Sequence, residues 1–527
     1  MVRPARHDAG TPWYVCRDLL GSAGEPTVGR PRQRLPCGMA SRDPSASPLA
    51  VPEVTPSERL EVLRDAVGPA VGPVVYWLQQ AQRATDNPAL EHALALAARW
   101  NRPACVVFGL DPGYPGATER SIVFMLEGLR EVRDALRGRG VGFVCRLGAP
   151  AEVALGAAAG AAALVCDRGY LRHQRDWRQR VAREASVGVV EVEGEAIVPV
   201  ALASDKAEYA ARTLRPKLWR RVERCSALPP RVTVRRRWDP TSTPPGTGED
   251  VSTQLDEPLA LARRLQVDRR AGSVGTWFRG GERAAAAALA RFVGRSLEHY
   301  QRDRNQPQRD AVSYLGMHLH FGQVSPLRVL REVRRGAEGA GAPPEAVESF
   351  LEELVVRREL ALNHAWFVPG YDRYEALPNW ARSTLAKHAG DQREHVYDVA
   401  TLEDGATHDP YWNAAMREMR ETGYMHNYMR MYWGKRILAW SSDPEAAFDL
   451  TRALNDRYFV DGRDPNSYAG IAWVYGRHDR PWPERPVFGT VRSMVAAGLK
   501  RKADPDAYVA KVEQRVRAGF SDRDEGD

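Results

Sequence analysis

Short apolar runs rich in β-branched residues recur after residue 73. They read PVVYWL, ACVVFGL, VGFVCRL, AALVCDR and VGVVEVEG, and they begin near residues 73, 104, 141, 162 and 187. Helical periodicity fills the intervals between them, over 87–100, 118–138, 149–155 and 174–185. Strand and helix in alternation predict an open, mostly parallel α/β sheet, which usually binds a ligand at the carboxyl ends of its strands.

Strand patterns disappear from about residue 257 onward. Helical periods interrupted by Pro and Gly replace them, over 281–300, 326–335, 344–366, 409–422, 424–440, 444–458, 466–475 and 504–518. The pattern predicts an α/β domain over 57–200 and an all-α domain over 257–527. Residues 201–256 read as an interdomain linker. The first 56 residues are dominated by Pro, Gly, Ser and Arg and read as a disordered leader.

Composition places the chain among ordinary soluble globular proteins. Of its 527 residues, 43% are apolar, and 75 Lys and Arg against 67 Asp and Glu give a net charge of +8. No apolar run approaches the roughly 20 residues that span a bilayer, and the start lacks the apolar segment of a secretory signal. We therefore expect a cytoplasmic protein with no membrane association. Six Cys without a CxxC pair favour neither a disulfide framework nor a structural zinc site.

A nucleotide-binding motif is absent from the first strand and turn. No GxGxxG follows the first strand, and GRGVG at 138–142 precedes a strand, which is the wrong side for a dinucleotide-binding loop. This string is interpreted as a connecting turn.

Two Asp-Pro pairs mark helix starts in the second half of the chain. Asp409-Pro410 and Asp443-Pro444 each combine a good N-cap with the residue favoured at the first helical position. Gly423 separates two of the predicted helices, so they form an αα-hairpin. This hairpin can bring Trp412 close to the next helix, whose indoles at 433 and 440 are seven residues apart and share one face.

A stripe of Trp at helical spacing is more often core packing than a binding site. Here, however, rings and charged groups alternate closely, and buried charges cost several kcal/mol unless they are paired. The pattern therefore favours a polar cavity that holds a large, flat, charged heteroaromatic ligand. The rings and polar groups are Trp433, Trp440, Trp473 and Trp482 with Asn455, Asp456, Arg457, Asp461, Arg463, Asp464, Asp479 and Arg480.

Several long strings, in order, resemble one known family. From about residue 73 to about 502 the chain resembles the DNA photolyase/cryptochrome family, and within it the class II cyclobutane pyrimidine dimer photolyases. The strings are VVYWLQQAQRATDNPAL (74–90), EYAARTLRPKL (208–218), LHFGQVSP (319–326), FLEELVVRREL (350–360), THDPYWNAAMREMRETGYMHNYMRMYWGKRILAW (407–440), LNDRYFVDGRDPNSYAGIAW (454–473) and HDRPW (478–482).

The resemblance implies a fold and a reaction. It implies a Rossmann-like α/β antenna domain followed by a large helical domain that holds FAD. It also implies a deoxyribodipyrimidine photo-lyase, in which excited reduced FAD donates an electron to a cyclobutane pyrimidine dimer in DNA and takes it back after the ring splits. The dimer is flipped out of the duplex. A monomer is expected. An antenna chromophore, a deazaflavin or a folate, is left open beside an empty antenna site.

The resemblance also assigns cofactor and electron-transfer residues. Asn455 would face flavin N5, and Arg430 with Asp461 would form an ion pair beside the ring system. Trp433, Trp412 and Trp440 would carry electrons, in that order, from the flavin out to the surface. Positions near the ribityl, phosphate or adenine parts of FAD are Tyr300, Ser313, Leu315, His320, Gln323 and Asp464.

On the DNA side, the resemblance makes Glu353 a catalytic carboxylate at the pyrimidine edge. Tyr428, Met431, Trp473 and Trp482 would wall the lesion pocket, Arg304 and Asn305 would enter the hole left by the flipped dimer, and Arg480 would bind phosphate. The chain departs from the family pattern at Arg357, where some relatives carry a Trp, and over 362–366.

Three other functions compete with dimer repair. A cryptochrome-like flavin photoreceptor usually has a C-terminal extension, whereas only a short charged tail, 520–527, is present here, and the lesion-pocket residues favour repair. A (6-4) photoproduct enzyme relies on catalytic His; His426 and His478 occur, but inside class II strings. A plain FAD oxidoreductase is disfavoured because no nicotinamide motif is found.

Overall fold

Seven strands of the described residues form one sheet in the first half of the chain. The structure, a computed structural model, describes residues 46–66, 71–275 and 277–518. The strands are β1 Leu60–Arg64, β2 Val74–Leu78, β3 Ala104–Leu110, β4 Gly142–Leu147, β5 Ala163–Asp167, β6 Val189–Val192 and β7 Glu249–Asp250. They lie in the order β1-β6-β5-β2-β3-β4-β7.

The centre of the sheet is parallel, and both edges are antiparallel. Strands β2 to β6 pair in parallel, whereas β1 pairs antiparallel with β6 and β7 pairs antiparallel with β4. Every residue of β2, β3 and β5 is buried, as expected for strands covered by helices on both faces. The predicted open, mostly parallel α/β sheet is confirmed, with strand starts within two residues of those predicted.

Helices alternate with the strands and continue into the predicted linker. Asn87 and Thr118 cap the first two, and their side chains accept from the N–H groups of Leu90 and Ser121. The helices of this part are α1 Pro88–Arg99, α2 Glu119–Arg139, α3 Pro150–Ala158, α4 Arg172–Glu184, α5 Val200–Ala203 and α6 Ala211–Cys225. Residues 201–256, predicted as a linker, thus contain α6 and the edge strand β7.

From residue 258 to 518 the described chain is helical, as predicted. Two stretches of π-helix, Phe292–Ser296 and Glu352–Arg357, interrupt otherwise α-helical segments. The helices are α7 Pro258–Ala262, α8 Glu282–Arg291, α9 Tyr300–Asp303, α10 Gly316–His320, α11 Pro326–Ala340, α12 Pro344–Leu351, α13 Arg358–Phe367, α14 Asn379–Lys387, α15 Val399–Asp404, α16 Pro410–Thr422, α17 Asn427–Trp440, α18 Pro444–Tyr458, α19 Pro465–Val474, α20 Ala496–Lys500 and α21 Pro505–Ala518. No helix of the described residues is long and apolar enough to cross a lipid bilayer.

The predicted disordered leader, 1–56, needs correction at its end. Leu49 and Val51 are buried in the core of the α/β part. His92 fixes this segment, with Nε2 2.9 Å from the Leu49 carbonyl oxygen and Nδ1 3.0 Å from Thr55 Oγ1. Residues 46–56 are therefore part of the folded α/β portion, because their apolar side chains bury against it. The rest of the predicted leader, 1–45, lies outside the described residues.

Arginine and glutamine side chains join the α/β part to the helical part. Arg120, on α2, donates to the carbonyl oxygens of Met419, Arg420 and Tyr458 at 2.6 to 3.2 Å. Gln323 Nε2 donates to the carbonyl oxygen of Phe124, also on α2, at 3.3 Å. The bonds from Arg120 satisfy helix-end carbonyls and fix α16 and α18 relative to the sheet.

Candidate functional site

Helices α16 and α17 form the predicted hairpin. Asp409 caps α16, and its Oδ1 accepts from the N–H groups of Tyr411 at 3.1 Å and Trp412 at 3.2 Å. Gly423 ends α16 with a φ of 71°, and a Cβ there would come within 2.7 Å of Val460. Both the left-handed conformation and the close approach require Gly, so this turn sets how α17 meets the loop after α18.

A cavity of about 230 Å3 lies among α17, α18 and α19, and we call it the helical cavity. Aromatic rings, amides and one ion pair line it, as the sequence pattern predicts for a flat, charged ligand. The lining residues are Tyr424, Met425, Asn427, Arg430, Met431, Trp433, Thr451, Asn455, Phe459, Asp461, Asp464, Asn466, Ser467, Gly470, Ile471 and Val474.

The predicted ion pair of Arg430 and Asp461 is present in the wall of the helical cavity. Arg430 Nη2 donates to both carboxylate oxygens of Asp461, at 2.9 and 3.2 Å. The guanidinium also lies 3.7 Å from the ring centroid of Phe459. Asp461 Oδ2 is 3.1 Å from where a Cβ at Gly316 would stand, so the start of α10 packs against this pair. The pair is mostly shielded from solvent, which strengthens it and fixes its geometry.

Asn455 contributes an oriented amide to the same wall. It is buried, and its Nδ2 donates to Asp456 Oδ1 at 2.9 Å. Burial raises the pKa of Asp456, although Arg463 beside it opposes that shift. The amide of Asn455 is therefore held by a neighbour on its own helix, α18, which limits its rotation at the cavity surface.

The start of α19 forms one end of the helical cavity. Asp464 caps this helix and accepts from the N–H of Asn466 at 2.7 Å. His320 Nδ1 lies 3.0 Å from Asp464 Oδ2. Although burial alone would raise it, the pKa of Asp464 is held below its usual range by the bonds from His320 and Asn466. His320 does not line the helical cavity but reaches its edge through Asp464.

Besides His320, four predicted cofactor residues do not line the helical cavity. Tyr300 packs against Phe292 and Phe350, with ring centroids 5.5 and 5.4 Å away. Leu315 lies in the hydrophobic core, and Ser313 lies two residues before it in the segment that leads into α10. The amide of Gln323 is engaged with His318, Gly281 and Phe124 at the junction of the two parts of the chain.

The three predicted electron-transfer indoles lie in a row leading away from the helical cavity. Trp433 lines the cavity, and its carbonyl oxygen accepts from Trp412 Nε1 at 3.0 Å. The rings of Trp412 and Trp440 follow with centroids 5.3 Å apart. These contacts run from Trp433 to Trp412 to Trp440, and the electron-transfer role of the three indoles stays a prediction.

The prediction that Trp440 lies at the surface is wrong. Only 3% of it is exposed, because Tyr397 and His408 cover it with ring centroids 5.1 and 5.7 Å away. The guanidinium of Arg436 lies 4.7 Å from the same ring. Partly exposed Tyr397 and exposed His408 separate this indole from solvent.

Glu353 sits on the second π-helical stretch, a deviation that often occurs at functional sites. Arg304 Nη2 donates to Glu353 Oε1 at 2.5 Å, and its Nη1 donates to Ser349 Oγ at 3.1 Å. The guanidinium also lies 5.5 Å from the ring of Tyr300. The structure therefore joins three residues with different predicted roles in one cluster, and exposed Asn305 follows next to it.

A cluster of rings and arginines forms what we call the rim cluster: Tyr428, Trp473, Arg480, Trp482 and Arg492. The guanidinium of Arg492 lies 5.7 Å from the ring of Trp473 and 4.8 Å from that of Trp482. Arg480 lies 5.2 Å from the Trp482 ring. Burial raises the pKa of Tyr428, and the positive charge of Arg492 opposes this shift. The sequence analysis missed Arg492, because an isolated Arg in a loop gives no signal.

The predicted departures from the family pattern have local partners. Arg357 Nε lies 3.3 Å from Glu352 Oε1 on the same π-helical stretch. In the 362–366 string, the Asn363 oxygen accepts from the N–H of Glu208 at 2.7 Å. Buried His364 lies 3.3 Å from the carbonyl oxygen of Tyr371. These residues hold α13 to its neighbours.

A second, smaller cavity of about 70 Å3, the strand-end cavity, lies where the sequence analysis expects a ligand of the sheet. It opens at the carboxyl ends of β2 and β3 and is closed by aromatic rings and by His320 and Arg463. Its other main lining residues are Gln79, Gln80, Phe108, Leu110, Asp111, Tyr114, Met125, Gln174, Trp177 and Phe321.

Comparison with known proteins gives consistent matches over most of the chain. The family model described as DNA photolyase matches residues 74–235. A deoxyribodipyrimidine photo-lyase from Methanothermobacter thermautotrophicus is 43% identical over 440 residues, which covers 83% of this chain and 94% of the relative.

Solved structures share the fold at low identity. A bacterial class III photolyase from Agrobacterium tumefaciens superposes with a TM-score of 0.66 at 20% identity, over 88% of this chain and 92% of the other. A Synechocystis cryptochrome superposes with a TM-score of 0.65 at 16% identity, over 86% and 90%. Since both have the fold, the fold alone does not separate repair from photoreception.

Proposed function

This chain belongs to the DNA photolyase family, and we propose that it uses light to split cyclobutane pyrimidine dimers in DNA, with FAD held in the helical cavity. The observation that carries the proposal is 43% identity, over 94% of its length, to a relative named deoxyribodipyrimidine photo-lyase. The cryptochrome alternative has weaker support, since Cryptochrome-1 of Arabidopsis thaliana is 27% identical over only 40% of this chain and the Synechocystis cryptochrome is 16% identical.

The residues of the helical cavity fit a flavin. Trp433 Nε1 is buried and has no hydrogen-bond partner among the described residues, as expected where a bound group supplies the acceptor. Gly470 keeps side-chain volume out of the cavity, since a Cβ there would meet only Met431, at 3.9 Å. Arg430 and Asn455 would hold the ring system, and Asn466 and Ser467 at the start of α19 suit its phosphates.

When bound, FAD supplies the photoexcited electron that opens the dimer and is then recovered. The protein side of the reaction is binding, orientation and electron supply. The rim cluster offers flat indole faces to the bases and arginines to the phosphates. Glu353, held by Arg304, offers carboxyl oxygens to the pyrimidine edge. The indole row gives a path for electrons toward the cavity.

An antenna chromophore is a further part of the proposal. The strand-end cavity has the position at which open α/β sheets bind ligands, and its walls are apolar and aromatic. A flat aromatic chromophore of the deazaflavin or folate type fits this chemistry. We also propose that the chain acts on dimer-containing DNA as a monomer, because the cavity, the indole row and the rim cluster all come from one chain.

The test is light-dependent repair by the purified, flavin-loaded protein. An oligothymidylate carrying dimers is mixed with chemically reduced protein and either illuminated or kept dark, and recovered thymine absorbance is measured. We expect recovery only in the light. Flavin photoreduction without any loss of dimers would favour the photoreceptor function and contradict the proposal.

A further inference from the structure

Lys435 is a buried charged residue that the proposed function does not use. It lies on α17, two residues after Trp433, and is 1% exposed. No carboxylate of the described residues lies within ion-pair distance of its Nζ. Burying an ammonium group without a paired carboxylate costs several kcal/mol, so the position needs a compensating reason.

The contacts that offset the burial of the Lys435 ammonium group lie at the end of α19. Lys435 Nζ donates to the carbonyl oxygen of Val474, the last residue of that helix. The same nitrogen lies 5.3 Å from the ring centroid of Trp473. A cation is favourable at a helix C-terminus, where carbonyl groups carry partial negative charge, and over the face of an indole.

Close backbone packing makes this contact possible. A Cβ at Gly434 would come within 2.9 Å of a Val474 methyl group, so Gly lets α17 approach the end of α19. Val474 lines the helical cavity, whereas Trp473 belongs to the rim cluster. Lys435 therefore contacts one residue of each, Val474 of the helical cavity and Trp473 of the rim cluster, at the same helix end.

Two charged groups of the loop after α19 act on Lys435. Asp479, whose carboxylate oxygens accept from Trp482 Nε1 at 3.3 Å, favours the charged amine. Arg492, between the rings of Trp473 and Trp482, disfavours it. Arg492 belongs to the rim cluster and Asp479 contacts it through Trp482. A movement of the rim cluster therefore changes the electrostatic potential at the amine.

We propose that Lys435 is a positioning residue that fixes Trp473 in the lesion pocket, and that its protonation controls how tightly the pocket binds a flipped dimer. The proposal rests on the proposed function, since it takes Trp473 as a wall of that pocket. Burial, reinforced by Arg492 and opposed by Asp479, lowers the pKa of Lys435 to about 7. The amine is charged below neutral pH; above it, the neutral amine still donates to the carbonyl group but loses the attraction of its charge to the indole.

The test compares wild type with Lys435→Met in the FAD-loaded, reduced protein. Affinity for an oligonucleotide with one thymine dimer is measured from pH 6 to pH 8.5, together with repair per bound complex. At pH 6 we expect Lys435→Met to bind about tenfold more weakly, as loss of a buried cation–π contact implies. At pH 8.5 the two proteins should bind alike. Repair per bound complex and flavin photoreduction should not change.

Two controls separate this effect from a general structural one. Lys500→Met removes an exposed lysine and should leave both affinity and its pH profile unchanged. Unfolding by urea should show Lys435→Met to be at least as stable as wild type, since it removes a buried charge.

The outcomes distinguish two failures. If wild type binds dimer-containing and undamaged oligonucleotides equally, the proposed function fails. If wild type prefers the dimer but Lys435→Met has the same affinity and pH profile, or weakens only as far as it unfolds, the role of Lys435 is overturned.

Discussion

Trp433 is the indole that touches both the helical cavity and the next member of the row. Its carbonyl oxygen holds Trp412, and its ring lines the cavity. We expect Trp433→Phe to abolish light-driven reduction of bound flavin by an external reductant, because the first carrier is lost, while chemically reduced protein still repairs. Transient absorption and dimer repair, measured side by side, check this.

The matched control is Trp100→Phe, at the end of α1 and remote from the row, which should photoreduce normally. Normal photoreduction in Trp433→Phe would remove the electron-transfer role from this residue.

Glu353 and Glu352 are adjacent carboxylates with different partners. Glu353 meets Arg304, whereas Glu352 accepts from Arg215 at 2.7 and 2.9 Å on the side of α6. We expect Glu353→Gln to lower repair about tenfold with flavin binding intact, because a charged hydrogen-bond partner of the lesion is lost. Glu352→Gln should repair like wild type. Equal yields in all three proteins would make Glu353 purely structural.

Site residues were predicted best where one local motif fixes a side chain. Arg430, Asp461, Asn455 and Trp433 all line the helical cavity, and their contact with a flavin stays a prediction. The burial of Trp440 was not predictable, because the rings that shield it from solvent, Tyr397 and His408, belong to other segments. Arg492 was missed for the same reason: its place between two rings depends on how a loop folds back.

Asp409 and Asp443 each cap a helix that starts with Pro, but they differ in their other contacts. Asp443 caps α18 through the N–H groups of Glu445 and Ala446 and does little else. Asp409 caps α16 and also accepts from buried Tyr432, with Arg436 3.6 Å away. We expect Asp443→Ala to lower the free energy of unfolding by about 1 kcal/mol. Asp409→Ala should lower it by about 2 to 4 kcal/mol, since a buried hydroxyl also loses its partner.

Urea unfolding of both variants checks this difference. Equal losses would mean that Tyr432 finds another acceptor and that the buried network around Asp409 adds nothing beyond the cap.

The bounds of helices were predicted correctly where a capping residue sets them. Features that depend on packing against other elements were not predicted. The predicted helix over 444–458 coincides with α18, because Asp443 and Pro444 set its start. The predicted helix over 344–366 exists, but its π-helical stretch, Glu352–Arg357, was not predicted. An extra residue in a helical turn leaves no mark on apolar periodicity. The two-residue edge strand β7 likewise has no strand propensity of its own and depends on β4.

The two parts of the chain meet at a buried carboxyl group whose charge should affect stability. Glu359, on α13, accepts from the N–H groups of Ile197 at 2.5 Å and Val198 at 3.4 Å, at the end of the α/β part. Burial raises the pKa of Glu359 to about 8. Between about pH 4.5 and 8 the folded protein keeps a proton that the unfolded chain releases, so this group's contribution to stability is full below that window and is lost across it.

Glu359→Gln keeps the neutral form at every pH. We therefore expect the variant to match wild type near pH 5 and to become progressively more stable than wild type toward pH 8, by at most about 1.4 kcal/mol per pH unit. Denaturant unfolding across this range measures it. A difference that does not change with pH would mean that Glu359 is ionised in the folded protein.

The division into a parallel sheet and a helical part was predictable, because periods of two and of 3.6 residues separate cleanly along the chain. How the parts join was not. Arg120 and Gln323 make the junction through bonds to backbone carbonyl oxygens, and such contacts leave no pattern in sequence. The domain bounds at 57, 201 and 257 therefore stay predictions, apart from residues 46–56, which belong to the α/β part.

We propose that FAD binds in the helical cavity, beside the rim cluster that takes the lesion, and a substitution at Gly470 can fill this cavity. Gly470→Trp should place a large side chain in the cavity. Gly498→Trp, on α20 and away from the cavity, with only ordinary contacts at its Cβ position, is the matched control. Both proteins should first be shown to unfold cooperatively like wild type.

The measurement is light-dependent loss of thymine dimers per protein, with bound flavin determined in the same samples. We expect Gly498→Trp to bind flavin and repair like wild type, and Gly470→Trp to retain neither flavin nor repair. A folded Gly470→Trp protein that binds flavin and repairs dimers at the wild-type rate would show that the helical cavity does not hold FAD.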